Sequence, residues 1–159
     1  MYSSVAYYYE RRDAMTVADS LDVSDARDVS AHRYSTSPDA QLRSLTSRFE
    51  ARYGASDETH RGRDVTGRSR FTMTAPATHR TLRLRRLYDQ ATPQDAEVYV
   101  NGQPAGRWYS AATDKERRWA DSDFILPVGL TRGRSTIDVE IRAVAGAWTE
   151  FRYELWVVH

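Results

Sequence analysis

The sequence predicts an all-β fold, an antiparallel two-sheet β-sandwich of jelly-roll-like form, and three observations carry that prediction. Apolar and polar residues alternate with period two in several short runs, as strands with one dry and one wet face require. Turn-forming residues separate those runs at spacings suited to antiparallel pairing. No segment longer than ten residues holds a helical period, although Pro38 to Ser44 has the length for a single turn. Eight or nine short strands in one chain of 159 residues suit a sandwich.

The clearest strand runs from Ser135 to Val144. It places Ile137, Val139, Ile141 and Ala143 on one face, with Thr136, Asp138, Glu140 and Arg142 on the other. Leu45 to Tyr53 sets Leu45, Phe49, Ala51 and Tyr53 against Thr46, Arg48, Glu50 and Arg52, and Arg70 to Ala75 and Phe151 to Val157 read alike. Asn101-Gly102 follows the β-branched run Glu97 to Val100. Both residues accept positive φ, so a type I′ hairpin is expected, returning through Gly106-Arg-Trp-Tyr109. Residues 54 to 68, rich in Gly, Asp, Arg and Thr, read as an exposed loop.

Length allows one domain with an additional arm. We divide the chain into an N-terminal strand at 1–12 and a sandwich at 13–159. The 23 basic and 22 acidic residues leave a net charge of +1, too even for a general attraction to nucleic acid or an acidic membrane. Among the basic residues only Lys115 is lysine. Arginine-biased codon usage accounts for this, as does a surface suited to bidentate recognition of carboxylates or phosphates. The absence of cysteine removes disulfides, thiolate metal sites and cysteine nucleophiles. No signal peptide or membrane-length apolar run is visible, so a cytoplasmic location is expected for the chain as written.

The opening ribbon Tyr2-Ser-Ser-Val-Ala-Tyr-Tyr-Tyr9 is strand-prone, with Tyr2, Ala6 and Tyr8 on one side and Val5, Tyr7 and Tyr9 on the other. A strand apolar on both faces normally lies between covering layers. Two readings are open: an edge strand using tyrosine as an amphipathic residue, or a strand belonging to a sheet supplied from elsewhere. The second makes Tyr2, Val5, Tyr7, Tyr8 and Tyr9 an interface.

This ribbon resembles the closing strand of the catalytic module in glycoside hydrolase family 172. Leu82-Arg-Leu-Arg-Arg86 with Tyr88-Asp89, then Ala96-Glu-Val-Tyr-Val-Asn-Gly102, Gly106-Arg-Trp-Tyr109, Arg118-Trp119 and Trp148-Thr-Glu-Phe-Arg-Tyr153, resemble the β-sandwich that follows that strand in many members. The resemblance implies carbohydrate chemistry: retaining hydrolysis or transfer of α-D-fructofuranosyl or D-arabinofuranosyl groups by two glutamates. Those glutamates lie on strands preceding the Tyr-Ser-Ser-Val-Ala block and have no counterpart in this sequence. The resemblance therefore implies an accessory part of such an enzyme, non-catalytic alone.

Retaining glycosidases need two carboxylates ~5–5.5 Å apart and inverting ones ~6.5–9.5 Å. Residues two apart on a strand share a face at ~6.5–7 Å, so Asp121/Asp123, Asp138/Glu140 and the series Glu150/Arg152/Glu154 have that spacing. Asp138 and Glu140 read as a solvated face, and Glu150, Arg152 and Glu154 as an ion network on an outer face. Asp121 and Asp123 alone have a sugar-compatible aromatic, Trp119, beside them. No Gly-x-Ser-x-Gly, phosphate loop or zinc spacing is present, and no cofactor or metal is assigned. The acidic stretch from Asp19 and Asp22 to Asp28 has oxygen ligands but no calcium-loop spacing.

Arg86 follows Leu82 and Leu84 onto the apolar face, where an isolated charge costs several kcal/mol or more. A bulge after Arg85 or a pair with Asp121 or Asp123 resolves this structurally; an arginine opening into a sugar cleft resolves it functionally. Trp108, Tyr109, Trp119 and Trp148 cluster near turns, where rings either bind sugars or close the ends of the sandwich. In the pair Trp108-Tyr109 one ring must look outward. The candidate sugar contacts are thus Arg86, Trp108, Tyr109, Trp119, Asp121 and Asp123.

Three functions follow: an accessory carbohydrate-associated sandwich binding a fructofuranoside or arabinofuranoside; an assembly module that adds Tyr2 to Tyr9 to a partner sheet, giving a homo-oligomer or a complex with a catalytic partner; and a stand-alone furanosidase using Asp121 and Asp123.

Overall fold

The computed structural model describes residues 15–51, 54–111 and 113–159. The expected N-terminal strand, and with it the interface residues Tyr2, Val5, Tyr7, Tyr8 and Tyr9, lies outside the described residues.

The described chain is an antiparallel β-sandwich. Its strands in order are β1 (Met15–Asp22), β2 (Ser35–Thr36), β3 (Gln41–Ala51), β4 (Gly54–Val65), β5 (Arg68–Thr74), β6 (Thr81–Asp89), β7 (Gln94–Val100), β8 (Gln103–Ser110), β9 (Trp119–Leu126), β10 (Thr136–Ala145), β11 (Trp148–Glu150) and β12 (Arg152–Val158). Two short helices, α1 (Ala26–Ala31) and α2 (Val128–Thr131), interrupt them. One layer has the order β1-β12-β6-β9, and the facing layer β2-β5-β10-β7-β8. Their inner faces meet in one core, where Phe71 stacks on Tyr153 with ring centroids 4.4 Å apart and Trp108 lies 5.5 Å from Phe124.

The alternation legible in β10 holds: Ile137, Val139 and Ile141 are buried, while Asp138 and Arg142 are exposed. The β7–β8 turn is the expected type I′, with φ 50° at Asn101 and 79° at Gly102.

A third sheet, β11-β4-β3, was not anticipated. It contains the segment expected as an exposed loop at 54–68: β4 pairs with β3 from Gly54 to Asp64 and with β11 from Arg63 to Val65. The side of β4 turned away from solvent carries Glu58, His60, Gly62 and Asp64, so no apolar alternation marks it. This sheet covers the outer face of β6 and β9 and closes a second small core of Leu45, Leu87, Trp119 and Phe151. Gly62 is required by that closure, because a Cβ there would lie 2.3 Å from the Glu150 carbonyl oxygen.

Pro38 to Ser44 forms no helical turn; its second half opens β3. The helix lies earlier, in α1, too short to show a period. The Asp25 carboxylate caps it by accepting the Arg27 and Asp28 N–H groups at 2.8 and 3.0 Å. Among the described residues no helix is long and apolar enough to cross a membrane.

Candidate functional site

Strand register assembles a groove on the outer face of the five-stranded sheet. Ser35 opposes Arg70, Arg70 opposes Glu140, and Glu140 opposes Tyr99, so four strands place these side chains in one row. One step along, Thr72 opposes Asp138. These residues, with Arg33 and the turn at Gly102, line a groove of about 280 Å³, near the lower end of the size range of small-molecule sites.

The polar groups of the groove are of complementary kinds. Glu140 sits between Arg142, 3.3 Å from Oε2, and Arg68, 3.6 Å from Oε1, so its charge is balanced. Asp138 accepts the Thr72 hydroxyl on Oδ1 at 2.9 Å. The Arg142 guanidinium covers one side of the Tyr99 ring, with Cζ 3.9 Å from the ring centroid. The Arg33 and Arg70 side chains make no hydrogen bond or ion pair with any described residue. The groove thus offers guanidinium donors, carboxylate acceptors and an aromatic ring.

The ends of the groove are fastened. The Asn101 side chain accepts the Asp138 N–H at 2.9 Å and donates to the Leu130 carbonyl at 2.8 Å, tying the hairpin turn to β10 and to α2. On the opposite side, the Thr72 N–H donates to the His32 carbonyl at 2.8 Å. The His32 ring spans from the Asp28 carbonyl to the Asp19 carboxylate, at 2.8 and 3.1 Å. Burial alone would lower the pKa of this imidazole. The Asp19 hydrogen bond, the Asp28 carbonyl and the two nearby carboxylates outweigh burial and raise it above its ordinary value.

The residues nominated from the sequence fall in four separate places. Arg86 and Trp108 are interior, at 0% and 2% exposure. β6 runs through Arg86 in regular register with both neighbours, so no bulge follows Arg85. Nor does Arg86 pair with Asp121 or Asp123. Its guanidinium donates to Gln94 Oε1 and the Thr149 carbonyl, both at 2.8 Å, and to Ser110 Oγ at 3.3 Å. It sits over the Trp148 ring, with Tyr88 and Trp108 also within cation–π range. Burial pulls its pKa down to about 10, yet it remains charged at neutral pH.

Trp119 belongs to the second core and donates to the Glu58 carbonyl at 3.0 Å. Asp121 and Asp123 lie on the outer face of the other sheet, where Asp123 accepts from Arg85 and Arg83. Tyr109 is the outward ring of its pair, 60% exposed, and shares the outer face of the five-stranded sheet with Tyr99 through the Asp95–Tyr109 and Glu97–Arg107 pairs.

Glu150 corrects a second expectation. It is fully buried rather than part of an outer ladder with Arg152 and Glu154, because Trp148 to Phe151 are buried consecutively and break the alternation before β12. It accepts the Tyr34 and Tyr153 hydroxyls, each at 2.5 Å, and the Ser69 hydroxyl at 3.0 Å. The remaining pair, Arg152 and Glu154, does form an ion pair at 3.3 Å. Among the described residues no group of three or more acidic or histidine side chains is placed to hold a metal ion. The Asp22 and Asp28 carboxylates accept backbone N–H groups of Ser24 and Asp22.

The groove residues Arg33, Arg70, Tyr99, Asp138 and Glu140 were not nominated from the sequence. Asp138 and Glu140 carry the signature of a solvated strand face, and only strand register brings Arg70 and Tyr99 beside them.

No family model matches the sequence, and no curated protein matches it. Solved structures do share the fold. A carbohydrate-binding module from Cellvibrio mixtus lichenase 5A, determined in complex with cellotriose, superimposes with a TM-score of 0.55 at 14% identity, covering 91% of this chain and all of that one. A family 35 carbohydrate-binding module from Clostridium thermocellum does so with a TM-score of 0.52 at 12% identity, covering 87% and 98%. The class defined is therefore a jelly-roll-like β-sandwich of the form these modules adopt; at such identities the likeness speaks to fold alone.

Proposed function

We propose that the chain is an accessory, carbohydrate-associated β-sandwich that holds a saccharide in the groove beside Tyr99. The observation that carries this reading is the row Ser35–Arg70–Glu140–Tyr99, with Arg33 and Asp138 beside it. Hydroxyl groups donate and accept at once, so a groove that mixes guanidinium donors with carboxylate acceptors suits a neutral polyol. The exposed part of the Tyr99 ring supplies an apolar surface for sugar C–H groups. The fold shared with carbohydrate-binding modules is consistent with this use.

The resemblance to glycoside hydrolase family 172 directs the choice of sugar. We propose a fructofuranoside or D-arabinofuranoside, bound by a module that accompanies a catalytic partner. Calorimetric titration with arabinofuranosyl and fructofuranosyl oligosaccharides, with cellotriose alongside, tests both levels. Millimolar or tighter binding of a furanoside, lost in Tyr99→Ala, is expected. Binding of cellotriose alone would remove the furanoside and leave the module. Absence of all binding would remove the carbohydrate reading.

Assembly by strand addition is the second reading. It draws support from β1, an edge strand whose strand pairing among the described residues is with β12 alone. Sedimentation across a concentration series tests it, a growing oligomer being the expected result.

A further inference from the structure

Helix α1 ends in a Schellman turn. The Tyr34 N–H donates to the Val29 carbonyl at 2.9 Å and the Arg33 N–H to the Ser30 carbonyl at 3.2 Å. Arg33 occupies the position of this motif where glycine is preferred, and its φ is 51°. A Cβ is crowded there by the following carbonyl, and unlike asparagine an arginine side chain offers the turn no local hydrogen bond in return.

Arg33 nevertheless adopts this conformation, because its neighbours leave no other. His32 is tied to β5 through its carbonyl and to β1 through its ring, and Asp19 in turn accepts the Thr74 N–H at 2.6 Å. Strain held in place by surrounding structure is characteristic of binding and switch positions. Here it places an exposed arginine, its side chain without a partner among the described residues, in the lining of the groove.

We infer that Arg33 is a specificity-determining contact of the groove, kept against backbone strain so that its planar fork can donate to two adjacent oxygens of a saccharide. Vicinal hydroxyls present such a pair, and Asp138, also lining the groove, can accept a hydrogen bond from a third. The inference rests on the carbohydrate reading above and adds to it an opposition between stability and binding at one residue.

The test uses the full chain, thermal melts and titration with the tightest binder among arabinofuranosyl, fructofuranosyl and cello-oligosaccharides. Arg33→Gly is expected to raise the melting temperature by about 2–4 °C while weakening binding about tenfold or more. Arg33→Asn, which tolerates the same backbone, should also lose affinity. Arg27→Ala, an exposed arginine on the same helix, should change neither. If the wild type binds and Arg33→Gly binds equally well, the inference is overturned while the carbohydrate reading stands. A lower melting temperature for Arg33→Gly would overturn it through the strain argument. If the wild type binds none of the probes, both fall together.

Discussion

The Arg86 guanidinium sits over the Trp148 indole with Cζ 3.3 Å from the ring centroid, fully buried and with no carboxylate bonded to it. Its charge is accommodated by two carbonyl acceptors, a hydroxyl and three aromatic faces instead. Trp108 and Trp148 come from distant strands and pack edge to face at 5.3 Å around it, so this cation organises the aromatic part of the core.

Truncating that side chain should be among the costliest substitutions available. Arg86→Ala leaves a cavity and strips donors from Gln94 and Thr149, and about 3–5 kcal/mol of stability is expected to be lost. Arg86→Met keeps the volume and removes the desolvated charge, so it should cost less. Urea denaturation of both variants measures the order, and a Met variant as unstable as the Ala variant would refute it.

Glu150 depends on its three hydroxyl donors. Burial raises its pKa, and the Tyr153, Tyr34 and Ser69 hydrogen bonds together with the Arg86 charge act in the opposite sense. Tyr34→Phe removes one donor without opening a large cavity. A loss of about 1–3 kcal/mol is expected, read from the shift in denaturation midpoint at constant slope.

Stability should fall with rising pH through the titration of His32. Its folded pKa is raised above the ordinary value of about 6.5, so the protonated ring stabilises the fold fully below that pH. The contribution disappears as pH rises through the higher folded value. Melting temperature is therefore expected to decline as pH rises from about 6.5 through the raised folded value, and His32→Gln should flatten that decline. An unchanged profile in the variant would assign the pH dependence elsewhere.

Gly62 should not tolerate a side chain. A Cβ would meet the Glu150 carbonyl oxygen at 2.3 Å and the Phe151 ring at 2.7 Å, and backbone cannot swing aside as a flexible side chain can. Gly62→Ala is expected to cost about 1–3 kcal/mol, measured by chemical denaturation. Ala substitution at the open Gly129 provides the comparison.

The blocks that resemble family 172 occupy a particular place in the fold. Leu82 to Asp89 form β6, Ala96 to Gly102 form β7 and its turn, Gly106 to Tyr109 lie in β8, and Trp148 to Tyr153 span β11 into β12. Arg86, Tyr88, Trp108 and Trp148 from these blocks make up the interior cation–aromatic cluster. Arg86 was nominated from the alternation of β6 and Trp108 from its place near a turn, and both side chains are buried in the core.

Sequence alone determined the all-β class, the alternating faces of β10 and the Asn101-Gly102 turn. Each is set by neighbours two to four residues away, through pleat geometry or the φ preference of a turn. Tertiary structure alone decided what Arg86 bonds to, that Glu150 is buried, that β4 is a strand whose covered side is polar, and that Arg70, Glu140 and Tyr99 share a row with Arg33 beside it. Those outcomes depend on which strands become neighbours and in what register, and that choice is made by packing between segments tens of residues apart.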